Sequence, residues 1–396
     1  MPGHAKRLFA KRRQELMRRL RPHLKKFVDI LPWGFSDSVF IDKFKNSHPY
    51  LYFILNSKYK YYSKEDIRLL KRGKKRRYKV WEPDNFILFI IKDYIENVRT
   101  TKEQASYYTL EQSDDAITKI MEQEKRKLER YHKQLEIRNR MVQKVNPKHS
   151  GYLLGHYLRY RRTHPEDVDT RYIFLLEASK YMCKDTIDLL YKVNATERNF
   201  HIRHFAFLTL QKFGFEVQLR KNFKGKRFPG DTIEPIKINT PKQLLDKIYS
   251  MQMEHYKTYD IFLSHSSTDA NLILKLKTVL NTQRMNVYLD WMNDQSGLSR
   301  KYTDENTARV LIERIKQSKC LMLIYTEACA HSIWTPWELG FAHALNKQVL
   351  VYFPKPLGSY PPYLDLYPRA ELTDEGFIIN GTDIHEYLRK NDIKID

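Results

Sequence analysis

From Tyr259 onward, short apolar runs alternate with segments whose apolar residues recur every three or four positions. The runs Tyr259–Ser264, Asn286–Asp290, Cys320–Tyr325 and Val349–Phe353 predict strands. Leu272, Leu276, Val279 and Leu280 predict a helix between the first two, and further helices are expected over 308–317 and 336–345. Strands that are almost wholly apolar and separated by helices belong to a parallel sheet covered on both faces.

The pattern before Tyr256 is different, and mainly helical. Residues 4–21 predict a basic helix with Phe9, Leu16, Met17 and Leu20 on one side, ended by Pro22. A basic turn, Lys71-Arg-Gly-Lys-Lys-Arg-Arg77, separates two aromatic-rich stretches. Ser113 or Asp114 is the expected cap of a long helix running to about Val145, stopped by Asn146-Pro147. Met121, Leu128, Leu135 and Val142 fall seven apart along it. The companion positions Ile117, Glu124, Tyr131, Arg138 and Val145 are only partly apolar, so a bundle helix is expected rather than a free coiled coil. Amphipathic helices follow over 166–214 without a repeat of fixed period. Phe215–Leu219 predicts a short strand, 224–241 a linker, and 242–255 a short helix. Three regions result: a basic, aromatic-rich helical region (1–110), a helical bundle with a long helix and linker (111–240), and an α/β domain (256–396).

Composition adds a boundary of its own. The chain has 396 residues, too many for one ordinary core, and is 42% hydrophobic, which excludes wholesale disorder. Its net charge of +23 is unevenly distributed. Residues 256–396 hold 16 Lys+Arg and 17 Asp+Glu, whereas residues 1–255 hold 54 against 30. The whole excess therefore lies ahead of the α/β domain, which suggests two parts with different partners. Three cysteines, Cys183, Cys320 and Cys329, are too few for a disulfide framework or a zinc cluster, and no metal site is expected. The run Phe86–Ile91 is far short of the ~20 residues that span a bilayer. The Arg-rich start has no apolar signal core after it. A soluble cytoplasmic protein without membrane contact is expected.

In parallel α/β sheets, ligands bind beyond the carboxyl ends of the strands. Three segments lie there: Ser264, His265, Ser266, Ser267 and Asp269; Asp290-Trp291; and His331 through Glu338. They bring hydroxyls, imidazoles, indoles and carboxylates to one sheet edge. Trp334 and Glu338, four apart, share a face if a helix begins at Trp334. A carboxylate in the first turns of a helix is expected to be held as the anion by the helix dipole. Such a group suits ribose hydroxyls and positive charge developing on a sugar ring. His265 and His331 read as solvated loop residues, Trp337 as packing, and Cys329 lacks the histidine partner of a thiol nucleophile.

With these residues in hand, the segment 256–396 resembles a Toll/interleukin-1 receptor (TIR) domain, in particular those of bacterial antiviral-defence proteins. The resemblance is carried by Tyr259-Asp-Ile-Phe-Leu-Ser-His-Ser-Ser-Thr-Asp269, Leu289-Asp-Trp291, Ser332-Ile-Trp334 and Glu338-Leu-Gly340. It covers the last third of the chain, and nothing before it is recognised. It implies a flavodoxin-like parallel sheet. It also implies cleavage of the nicotinamide–ribose bond of NAD by a glutamate four residues after a tryptophan, here Glu338 after Trp334. Ser264, His265 and Ser266 match the segment lining the nucleotide site, and Asp290 and Trp291 match the loop framing its mouth. Trp337-Glu-Leu-Gly-Phe-Ala342 is also similar to the glutamate motif of nucleoside deoxyribosyltransferases, which cut N-glycosidic bonds. NAD is then a substrate and no further cofactor is required.

Three readings follow. The first is an NAD glycohydrolase or cyclase acting as effector or signal generator in anti-phage immunity, its product left open. The second is a non-catalytic TIR scaffold. The third is a regulator whose basic N-terminal region binds nucleic acid or another acidic ligand. Self-association through the TIR domain and the N-terminal helices is expected in the enzymatic case.

Overall fold

The structure, a computed structural model, describes residues 4–32, 34–100, 108–220, 230–235, 239–294, 298, 304–391 and 393. It divides into two compact units, Met1–Ile137 with Gly214–Val217, and Arg138–Phe213 with Gln218–Asp396. Except for Gly230 and residues within 231–241, the stretch read as a linker lies outside the described residues.

The first unit is helical: α1 (His4–Asp29), α2 (Asp37–Ser47), α3 (Pro49–Leu70), α4 (Pro83–Thr100) and most of α5 (Leu110–Asn139). α1 does not end at Pro22 but carries it inside. An interior proline costs about 3 kcal/mol. Beyond it, however, Leu24, Phe27 and Val28 are buried in one core with Leu20, Phe40, Phe44, Ile87 and Ile91. Each such side chain contributes about 1.5–3 kcal/mol on burial, so packing carries the helix through.

α5 begins before Ser113. Thr109 Oγ1 accepts the Gln112 N–H and Gln112 Oε1 accepts the Thr109 N–H, both at 3.2 Å, a reciprocal capping box. Ser113 is buried inside the helix, which ends at Asn139 rather than near Val145. The seven-residue seam is correspondingly incomplete. Leu128 and Leu135 are half-buried, Met121 is exposed, and Val142 lies past the helix. Tyr131 packs instead against the rings of Tyr50 and Phe53, as a bundle helix does.

The basic turn after α3 is tightly held. Asp66, buried, accepts the N–H groups of Arg77, Tyr78 and Lys79 at 2.8, 2.9 and 2.7 Å, while residues 71–77 are all exposed.

In the second unit, α6 (Ser150–Thr163), α7 (Val168–Ala178), α8 (Lys184–Thr196) and α9 (Phe200–Lys212) precede α10 (Pro241–Ser250) and α11 (Gln252–His255). Phe215–Leu219 forms no strand. Nearby carbonyls are taken by side chains: Asn194 Nδ2 donates to Gln218 (3.0 Å) and Arg203 Nε to Arg220 (2.7 Å).

The rest alternates as expected: β1 (Tyr259–Ser264), α12 (Ala270–Thr282), β2 (Val287–Tyr288), α13 (Asp290–Asn293), α14 (Glu305–Gln317), β3 (Ser318–Ile324), α15 (Glu327–Ala330), α16 (Trp334–Ala344) and β4 (Gln348–Tyr352). β5 (Arg369–Thr373), β6 (Gly376–Ile379), β7 (Thr382–Asp383) and α17 (Ile384–Lys390) complete it. The sheet order is β2-β1-β3-β4-β5-β6-β7. The first five strands are parallel in the flavodoxin-like order, and β6 and β7 add antiparallel. One face packs α12 and α17 through Ile273, Leu276, Ile384 and Leu388, the other α14 and α16 through Leu311, Ile315, Leu339 and Ala342.

β2 lies at the sheet edge, where unpaired backbone groups invite further strands. That edge is covered by the segment after α5. Gln143 donates through Nε2 to the Val287 carbonyl and accepts from Asn281 Nδ2 at 2.7 Å. Lys277 Nζ donates to the carbonyls of Arg140 and Val142 at 3.0 and 2.7 Å. Gln143 also makes an isolated β-bridge to Tyr181, which ties the covering segment to the helical layer. Among the described residues no helix is long and apolar enough to cross a membrane.

Candidate active site

The three candidate segments follow β1, β2 and β3, at the carboxyl ends of neighbouring parallel strands. β1 lies between β2 and β3, so the chain runs outward from it in both directions, the switch point at which such sheets take ligands.

Glu338 occupies the second turn of α16 and is 7% exposed. Ser264, the last residue of β1, donates its hydroxyl to Glu338 Oε2 at 2.6 Å. Burial pushes the Glu338 carboxyl up to about 8, the Ser264 bond opposes this, and the charge of Asp290 adds to it. The dipole-held anion expected from the sequence is therefore not what the structure has. The first turn of α16 is Trp334 to Trp337, which leaves Glu338 one turn in, where desolvation outweighs the dipole.

Asp290 begins α13 and is half-buried. Its Oδ1 is buried and has no hydrogen-bond partner among the described residues, an acceptor left for a group from outside. The next residue, Trp291, donates its Nε1–H to His265 Nε2 at 2.7 Å. His265 Nδ1 lies 2.8 Å from the Leu263 carbonyl. An indole only donates and a carbonyl only accepts, so the imidazole is the neutral Nδ1–H tautomer. It serves as a strut that orients Trp291 rather than as a solvated loop residue. Trp291 also packs against the core on the α12 face, so it faces both the core and the site.

Ser266 is buried and bonds within its own loop, to Thr268 Oγ1 at 3.0 Å. Asp269 accepts from Thr326 Oγ1 at 2.6 Å, and Thr326 caps α15 through the Cys329 N–H at 3.0 Å, which ties the first segment to α15, just ahead of the third. Trp334 is half-buried, edge-on to Trp337 with centroids 5.7 Å apart, and Trp337 stacks on Phe341. His331 is exposed. Burial raises the Cys329 thiol above its usual range, which suits packing and not nucleophilic attack. Thus Ser264 meets Glu338, His265 meets Trp291, and Asp290 bears on Glu338 through its charge. Ser266 and Trp334 line the same edge without a direct bond to Glu338. The role of Ser264 as partner of the glutamate escaped the sequence because 74 residues separate them.

A family model described as "Thoeris protein ThsB, TIR-like domain" matches residues 262–356, which contain Ser264, Asp290 and Glu338. A protein of Cytobacillus dafuensis named "Putative cyclic ADP-D-ribose synthase TIR2" is 31% identical over 349 residues, covering 88% of this chain and 91% of its own. One of Bacillus cereus (strain MSX-D12), named "Probable 3' cyclic ADP-D-ribose synthase ThsB'", is 37% identical over 147 residues, 36% of this chain and 73% of its own. The first of these likenesses runs through the helical part as well as the α/β part, and with it the chain belongs to the family of TIR proteins of the Thoeris ThsB type.

Proposed function

We propose that the α/β unit cleaves the nicotinamide–ribose bond of NAD and closes the ADP-ribosyl part on itself, making a cyclic nucleotide signal in Thoeris anti-phage defence. The observation that carries this reading is the buried Glu338 carboxyl held by Ser264 at the switch point of the sheet. The names of the two relatives support cyclisation over simple hydrolysis.

In this reading Glu338 accepts hydrogen bonds from the ribose hydroxyls. NAD carries a positive charge on its nicotinamide ring, and positive charge spreads onto the ribose as the C1′–N bond lengthens. Either charge offsets the burial that keeps Glu338 protonated and favours the carboxylate when it is needed. The bonding pair leaves with nicotinamide, which departs neutral. A nucleophile within the ADP part then bonds to C1′ and loses its proton, giving the cyclic product. Water attacking at C1′ would give ADP-ribose instead, as in glycoside hydrolysis. Asp290 Oδ1 is a ready acceptor for a further hydroxyl or amide, and Trp291 and Trp334 offer ring faces for a base. Mass spectrometry of nucleotides after incubation with NAD tests the reading. A product lighter than ADP-ribose by one water is expected, ADP-ribose alone returns the site to a hydrolase, and unconsumed NAD from a clustered sample favours the scaffold.

A second reading concerns the first unit, which is basic, with 32 Lys+Arg against 19 Asp+Glu. The loop pinned by Asp66 presents Lys71, Arg72, Lys74, Lys75, Arg76 and Arg77 to solvent in a fixed conformation. Elsewhere in the unit Arg13 stacks on Trp81 and Phe89, which are 41% and 47% exposed. Fixed cations and exposed rings together suit single-stranded nucleic acid. The full chain is expected to bind an oligo-dT strand with an affinity that falls steeply with salt. Replacing Lys74, Lys75, Arg76 and Arg77 by alanine should flatten the log–log slope by about 0.7 for each phosphate no longer neutralised. An unchanged slope removes the loop from any role in strand binding.

A further inference from the structure

Six alternating charges form a closed ring inside the second unit, and none of them enters the chemistry above. Asp294 follows α13, one turn after Asp290, and its N–H returns to the Asp290 carbonyl at 2.9 Å. Its carboxylate takes both arms of a guanidinium fork, Arg314 Nε at 2.8 Å and Nη2 at 3.1 Å, and the Tyr288 hydroxyl at 3.0 Å. Arg314 Nη1 donates to Glu254 Oε2 at 2.8 Å. Lys257 bridges Glu254 and Glu177, at 2.7 Å to each. Lys180 closes the circuit, 2.9 Å from Glu177 and 4.0 Å from Asp294. Five of the six side chains are at most 1% exposed.

All five are charged. Burial alone would push the Glu177 and Glu254 carboxyls up, but the surrounding cations outweigh it and hold both well below the usual range. Asp294 is likewise held down against burial, chiefly by Arg314. Burial would lower Lys257 and Arg314, yet their carboxylates keep them raised.

A buried ion-pair network is a poor way to gain stability, because apolar side chains of the same volume do as well or better. Its distinctive property is direction: fork and carboxylate fix one another's position and angle. Here the position fixed is that of the α13 turn, which carries Asp290 and Trp291. Three ring members, Glu177 in α7, Lys180 just after it and Glu254 in α11, lie ahead of the α/β fold.

We propose that this ring sets the placement of the Asp290–Trp291 turn for NAD, and that Glu177 and Lys180 in the helical layer are positioning residues of the site. The part concerning NAD rests on the function proposed above. Lys180→Met opens the ring at its longest link and leaves Glu177 paired with Lys257, so the fold should persist. In the full chain labelled with 5-fluorotryptophan, the Trp291 resonance is assigned by its loss in Trp291→Phe. We expect Lys180→Met to shift that resonance and raise KM for NAD about tenfold with kcat nearly unchanged. Lys180→Arg should restore both, and Glu177→Gln should act in the same direction. A variant that melts earlier while resonance and KM stay at their wild-type values makes the ring structural only, and overturns the proposal. In an active enzyme, either readout left unchanged overturns it. If the wild-type chain leaves NAD untouched, the function falls separately and the Trp291 resonance alone decides: a shift upholds the positioning role and no shift overturns it.

Discussion

Glu338→Gln should nearly abolish NAD consumption, with a loss of about a hundred- to a thousandfold in kcat while the fold remains intact. The amide keeps the volume of the carboxyl and can still accept from Ser264, which reaches Oε2 at 2.6 Å. It cannot carry the negative charge that faces the sugar cation, and removing one well-aimed electrostatic group from a buried site costs about 10²–10³ in rate. The ribose contacts weaken as well. The same residue sets the pH dependence. With its carboxyl raised to about 8, Glu338 is mostly protonated in the free protein at neutral pH, so kcat/KM should rise with pH and level off above about 8. Stability runs the other way. A group whose folded value is raised contributes fully below its unfolded value, near 4.5, and that contribution is lost as pH rises through about 8. Wild type should therefore lose stability over that interval and Glu338→Gln should not, so the inactive variant melts later at pH 9. NAD turnover by the variant at the wild-type rate would remove Glu338 from the chemistry.

Arg314→Gln should destabilise the second unit by about 3–5 kcal/mol, measured as the shift of its urea transition. The guanidinium is fully buried and bonds Asp294, Glu254 and the Gln317 side chain at 2.7–3.1 Å. Without it buried Asp294 loses its principal partner, and buried Glu254 loses one of the three cations around it, keeping Lys247 and Lys257. Asp294 then either stays charged largely without compensation or takes up a proton. Arg314→Lys should rescue little, because an ammonium is a point donor and cannot reach Asp294 bidentately and Glu254 together. A change smaller than about 1 kcal/mol would mean that Lys247, Lys257 and Lys180 neutralise the carboxylates on their own.

The two predictions differ in how far they could be read from the amino-acid sequence. Glu338 was legible because parallel strands are almost wholly apolar, so β1, β3 and β4 stand out and the polar residues after them mark the ligand edge. The family resemblance then singled out one carboxylate. Its protonation was not legible, since burial depends on what packs over the second turn of α16. Arg314, Glu254, Lys257 and Glu177 were invisible for the same reason. Charged residues on helices ordinarily face water, and only the folded chain turns these inward. α1 continued through Pro22 because of three apolar residues beyond it, a tertiary effect that local propensity misses. One signal was present and overlooked. Asn380-Gly381, both with positive φ (51° and 73°), forms the tight turn between β6 and β7, and an Asn-Gly pair between alternating residues is a strong hairpin marker.

The segment that covers the β2 edge has a bearing on how such proteins can be recombined. A chimera joined at Tyr256, where strand–helix alternation begins, would part Gln143 from Val287 and both Glu177 and Glu254 from Lys257. It would leave a bare strand edge and an unpaired buried lysine in the transplanted piece. A graft cut near Arg138 keeps all three. The unit that can be exchanged between members of this family is therefore longer than the domain its motifs outline, and it brings its own helical layer with it.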